Sequence, residues 1–154
     1  MSAFEQLPVW LQTALKRQCI TAPTQVQQSA LPPALKGRDI LATAQTGTGK
    51  TAAYLIPILN ECLKDRENSQ ILIMTPTREL AVQVEEEAKE LAKYTGLKCA
   101  SFYGGVGYES QKNALRKGCD VIIGTPGRLI DLHEGKDLNL SKIKFLVVDE
   151  ADRM

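Results

Sequence analysis

Five short apolar runs recur along this chain, each pair separated by enough residues for one helix, and that alternation restricts the possible folds more than any other feature. The runs are Asp39–Thr43, Ile71–Thr75, Cys99–Tyr103, Val121–Gly124 and Phe145–Val148, all of strand length. Amphipathic stretches at Lys50–Leu63, Arg78–Tyr94, Tyr108–Arg116 and Gly127–His133 fill the gaps. A strand-helix series of this kind predicts an α/β fold, a parallel sheet with helices on both faces. Before the series begins, Leu7–Arg17 reads as a helix with Pro8 in its first turn and Trp10 as an anchor. Thr24 is placed to cap a second helix that Pro32 and Pro33 bend or end.

In a parallel sheet every strand ends on the same edge, and ligands of open α/β sheets bind outside those carboxyl ends. The unusual residues of this sequence fall there. Ala44–Thr51, Pro76–Leu80, Gly104–Gly105, Thr125–Arg128 and Asp149–Asp152 each follow directly on an apolar run. They are expected to line one face, the candidate active surface.

Composition narrows the function. Lys and Arg number 19 against 18 Asp and Glu, a net charge of +1, so nucleic acid cannot be held by bulk positive charge and any such contact must be local. The length of 154 residues supports an ordinary core without a metal or disulfide staple. Cys19, Cys62, Cys99 and Cys119 form no C-x-x-C pair and His133 is the only histidine, which excludes a zinc site of familiar spacing. Reduced thiols, the lack of a basic-then-apolar leader, and the lack of a membrane-length apolar run point to the cytoplasm.

Ala44-Gln45-Thr46-Gly47-Thr48-Gly49-Lys50-Thr51 lies between an expected strand and an expected helix. That is the setting a phosphate-binding loop requires. Gly47 and Gly49 let backbone N–H groups converge on phosphate oxygens, and the helix opening near Lys50 adds its positive end. Lys50 is placed to reach the β and γ phosphates, and Thr51 offers a hydroxyl to Mg²⁺. Asp149-Glu150-Ala151-Asp152 ends the last apolar run. Asp149 can hold the same ion, and Glu150 can orient or deprotonate an attacking water. These residues alone leave open a helicase, another P-loop NTPase and a binding-only chain, although no Asn-Lys-x-Asp guanine reader is present.

Taken together, Ala44–Thr51, Pro76-Thr77-Arg78-Glu79-Leu80, Thr125-Pro126-Gly127-Arg128 and Asp149–Asp152 resemble the ordered motifs of DEAD-box ATP-dependent RNA helicases. The resemblance covers nearly the whole chain, and Ala44 fits that family better than the general loop pattern, which opens on glycine. It implies a RecA-like P-loop domain over residues 37–154, incomplete at its C-terminal end, preceded by a helical adenine-reading region over residues 1–36. Pro23-Thr24-Gln25-Val26-Gln27 is similar to the family's adenine-reading segment, with Phe4 as its isolated upstream aromatic. Gln27 is the implied reader, since a side-chain amide matches the adenine N6 and N7 edge and mismatches guanine.

The family carries an aromatic where Ile20 stands and glycine where Cys19 stands, so weaker nucleotide affinity is expected. The cofactor contacts implied by the resemblance are Phe4, Ile20, Gln27, Ala44, Gln45, Thr46, Gly47, Thr48, Gly49, Lys50 and Thr51. Catalysis falls to Lys50, Asp149 and Glu150, Mg²⁺ to Thr51 and Asp149, and coupling to Asp152. Pro76, Thr77, Arg78, Gly104, Gly105, Thr125, Pro126, Gly127 and Arg128 match positions that hold the RNA sugar-phosphate backbone without reading bases. The resemblance further implies that a Ser-Ala-Thr segment and a second RecA-like domain lie outside these residues. The strand leading to that segment sits, in this branch, between the phosphate-loop strand and the acidic-motif strand. A gap in the sheet is therefore expected, and so is weak activity of this stretch alone, because arginines of the second domain complete the ATP site.

Overall fold

A computed structural model describes residues 2–45 and 47–154; the Thr46 contact expected above lies outside the described residues. Four strands, β1 (Gln70–Met74), β2 (Cys99–Phe102), β3 (Val121–Gly124) and β4 (Ile143–Val148), form one sheet in the order β2-β3-β1-β4. All three pairings are parallel. The helices are α1 (Val9–Arg17), α2 (Gln25–Leu35), α3 (Lys50–Lys64), α4 (Arg78–Leu91), α5 (Tyr108–Arg116) and α6 (Pro126–Glu134).

The period-2 alternation of each strand builds two cores. Ile71, Ile73, Val121 and Ile123 face Leu55, Ile56 and Leu59 of α3, Ala81, Val84 and Ala88 of α4, and Leu11, Leu15 and Leu31 of α1 and α2. Leu72, Ile122 and Phe102 face the other way, toward Leu129 and Leu132 of α6 and Leu138. Local rules explain the helix starts. Thr24 and Gln27 form a reciprocal capping box at α2, worth about 1 kcal/mol, and Thr77 caps α4 through the Leu80 N–H. Pro32 and Pro33 lie in the last turn of α2, which ends two residues later at Leu35. Pro8 is the N-cap of α1 rather than part of its first turn.

One expected strand does not form. Residues 39–43 carry no regular structure, with Leu41 fully exposed and Ile40 44% exposed. A strand needs a neighbour to take its N–H and C=O groups, and here the neighbouring position is open. Between this segment and β4 lies a cleft of about 1370 Å³, walled by Arg38–Gln45 on one side and Lys144–Arg153 on the other. Open space thus separates residues 39–43 from β4, and 39–43 joins no ladder of the sheet. Coverage by helices also stops short on the α6 face, where Leu146 is 60% and Val148 42% exposed.

Candidate functional site

The strands end level. Met74 pairs with both Gly124 and Val148, and Phe102 pairs with Gly124, so the loops that follow leave from one edge. Sheet order then sorts them across that edge: Gly104 and Gly105 after β2, Thr125–Arg128 after β3, Pro76–Arg78 after β1, and Asp149–Asp152 after β4. The glycine-rich loop stands across the cleft from β4, and its helix α3 begins at Lys50.

Gly49 is the N-cap of α3 with φ 83°, in the region glycine enters without penalty. A Cβ there would overlap the Gln27 side-chain amide and come within 3.0 Å of Thr24 Oγ1. The close approach is bonded, since Gln27 Nε2 donates to the Gly49 carbonyl at 3.1 Å while Gln27 Oε1 accepts from Thr24 N at 3.0 Å. Gln27 is only 3% exposed, yet its amide keeps one further N–H and one further lone pair. The capping box therefore ties the start of α2 to the start of α3. Within the loop, the Thr48 hydroxyl donates to the Gln45 carbonyl.

Across the cleft, Asp149 is 8% exposed and its backbone N–H extends the β4 ladder to the Met74 carbonyl at 2.9 Å. Its Oδ2 accepts from the Tyr54 hydroxyl at 2.8 Å. Burial, then the Asp149 charge and hydrogen bond, push the Tyr54 phenol far above its ordinary range, against a smaller opposing effect of Thr51; the proton stays on tyrosine. Glu150 adopts φ 51° and pairs with Arg153 at 3.7 Å, while Asp152 is exposed. Among the described residues no group of three or more His, Cys, Asp or Glu could hold a metal ion, and the candidate ligands from the sequence, the Thr51 hydroxyl and the Asp149 carboxylate, offer oxygen only. Such a sparse set suits Mg²⁺, which keeps waters and takes substrate phosphate oxygens.

On the β2 side of the edge, Arg78 is exposed and its guanidinium lies 5.3 Å over the Tyr103 ring, beside Gly105. Thr77 and Gly127 are exposed and Pro76, Thr125 and Pro126 half-buried. Arg128 differs, being 8% exposed. Its guanidinium donates to the Val106 carbonyl at 3.3 Å and to Gln111 Oε1 at 3.0 Å, and stacks 4.0 Å from the Tyr108 ring centroid. It braces the Gly104–Gly105 loop, with part of its donor fork already used. Phe4 is 7% exposed, in the core with Leu7 and Leu11. Ile20 is half-buried against that core, after Cys19 at φ 60°, which is where a glycine costs nothing.

Sequence reasoning missed Tyr54 and Gln111. The available signals were a hydroxyl in the otherwise apolar run after Thr51, and a glutamine on α5 that turns out buried at 6%.

The sequence model of the DEAD/DEAH box helicase family matches residues 24–154. Among curated proteins, the chain is similar to "DEAD-box ATP-dependent RNA helicase 3B, chloroplastic" of Zea mays, at 46% identity over 96% of this chain and 21% of that protein. It is also similar to "ATP-dependent RNA helicase SrmB" of Escherichia coli, at 46% identity over 92% of this chain and 33% of that one. Its fold matches the RNA helicase Prp28 of Chaetomium thermophilum bound to ADP, with a TM-score of 0.89 at 41% identity, covering 96% of this chain and 37% of the other. A hypothetical ATP-dependent RNA helicase from Sulfolobus tokodaii gives a TM-score of 0.84 at 37% identity, covering 93% of this chain and 41% of that one. The chain thus spans between a fifth and a third of the length of these two curated relatives.

Proposed function

The chain belongs to the DEAD/DEAH box helicase family, and from that premise we propose that it is the ATP- and RNA-binding N-terminal part of an ATP-dependent RNA helicase. Residues 1–36 serve base recognition, and residues 37–154 form the partial RecA-like domain. The observation that carries this reading is the meeting of Tyr54 with Asp149, which brings the helix start of the glycine-rich loop and the acidic turn to one place.

The backbone around Gly47 and Gly49 and the N-terminus of α3 cradle the phosphates, with Ala44, Gln45 and Thr48 shaping the loop. Lys50 neutralises charge on the β and γ phosphates. Gln27 turns its remaining donor and acceptor to adenine, with Ile20 giving aliphatic cover. Thr51 and Asp149 are the residues that would hold Mg²⁺, which when bound offsets phosphate charge. Glu150 orients the attacking water and takes its proton. Along the other half of the edge, Thr77, Arg78, Gly104, Gly105, Thr125 and Gly127 offer N–H groups, hydroxyls and a guanidinium to an RNA backbone, and Pro76 and Pro126, which have no N–H to give, shape the turns that present them. Arg128 acts chiefly by holding the Gly104–Gly105 loop. Asp152 passes the state of the ATP site to a second domain in the whole protein, where hydrolysis is coupled to local duplex separation. Free, unpaired cysteines agree with work in the cytoplasm, and no helix among the described residues is long and apolar enough to cross a membrane.

Calorimetric titration of the chain with Mg-ATP and Mg-GTP tests the reading. ATP is expected to bind at least about tenfold tighter, a difference of about 1.4 kcal/mol, and Lys50→Ala should abolish the heat. GTP binding as tight as ATP overturns the adenine assignment. RNA binding indifferent to ATP analogues and to Lys50→Ala favours a binding-only chain.

A further inference from the structure

Tyr54 belongs to none of the motifs that the sequence offers. It lies one turn beyond Thr51 on α3, and its hydroxyl reaches Asp149 Oδ2 at 2.8 Å from 95 positions away in sequence. Tyr54 is half-buried at the cleft, with Ala53, Leu55, Ile56 and Pro57 buried around it on α3, and the part of it withdrawn from water favours a paired hydroxyl. Its pairing is with a carboxylate that is itself 8% exposed. The geometry points to Tyr54 as a positioning residue for the divalent-ion site, its hydroxyl fixing the Asp149 carboxylate in the rotamer that presents it to the glycine-rich loop.

The physical reason is preorganisation. Asp149 is the last residue tied to the ladder, and the next, Glu150, leaves in the left-handed region, so the backbone fixes the Asp149 Cα but not its carboxylate. A donor on Oδ2 removes that freedom and leaves Oδ1 unclaimed by the phenol. The hydroxyl also joins α3 to the end of β4 at the wall of the cleft, which Tyr54 and Asp149 both line. This inference rests on the reading of Thr51 and Asp149 as ion ligands.

The experiment follows Mn²⁺ binding by electron paramagnetic resonance in the presence of ADP, with the intact chain and Tyr54→Phe. The variant keeps the ring and loses the hydroxyl. The Mn²⁺ concentration at half-saturation is expected to rise about three- to tenfold, with ADP affinity in EDTA changed less than about twofold. On an Asp149→Asn background, Tyr54→Phe should add less than about twofold. An unchanged or lower Mn²⁺ requirement in Tyr54→Phe overturns the inference alone. So does loss of its cooperative unfolding transition, which would make the hydroxyl structural. Failure of the unaltered chain to bind Mn²⁺ with ADP overturns the nucleotide reading itself.

Discussion

At Gly49 a local conformation and a long-range contact demand the same residue. The backbone is left-handed, and the space a side chain would need is taken by Gln27 and Thr24. Gly49→Ala should therefore cost about 1–3 kcal/mol, the range for one strained position, and should part α2 from the loop. Urea midpoints at constant slope measure the first, and nucleotide affinity the second. Cys19 is the converse case. It holds φ 60° with a Cβ present, a strain of roughly 1–2 kcal/mol, at the position where the resemblance implies glycine. The residue departure was legible in the sequence; its left-handed backbone became a fact only with the fold.

Among the elements, β4 is the exposed one. Its outer edge borders the cleft and its Leu146 and Val148 side chains lack a covering helix. Unpaired edges with apolar side chains invite strand pairing with other chains. Leu146→Lys combined with Leu41→Lys should reduce self-association of this chain several-fold by light scattering while leaving its circular dichroism unchanged. Equal scattering would place the sticky surface elsewhere. The apolar runs were enough to locate β1, β2, β3 and β4, because a short apolar run bounded by turn residues is what a strand lying against a core requires. The run 39–43 has similar composition and does not form a strand, because a strand is a property of a pair.

Viewed as a whole molecule, the chain keeps three thiols inside one compact body. Burial above all pushes Cys62 up to about 11 and Cys99 and Cys119 up to about 12, from an ordinary 9.0. Cys62 and Cys119 also donate to the Ser69 and Val121 carbonyls. Only Cys19 is exposed among the four. Ellman's reagent at pH 8 should therefore titrate one thiol in the folded chain and four after unfolding. The linked pH effect has a definite sign. Above pH 9 the unfolded chain releases thiol protons that the folded chain retains, so stability is intact below pH 9 and falls as pH climbs toward 11–12. A flat urea midpoint across that window would contradict the burial of these groups.

What depends on near neighbours and on residue type was legible in the residues alone: four of the five strand runs, the Thr24 cap, the glycine-rich loop opening α3, and the acidic turn closing β4. Each is set within a few positions, where chain geometry leaves little choice. Only the folded chain settles how distant segments meet. It buried Arg128 under Val106, Tyr108 and Gln111, it turned Phe4 into the core, and it set Tyr54 against Asp149. Those pairings depend on how helices seat on the sheet, and no local rule carries that information.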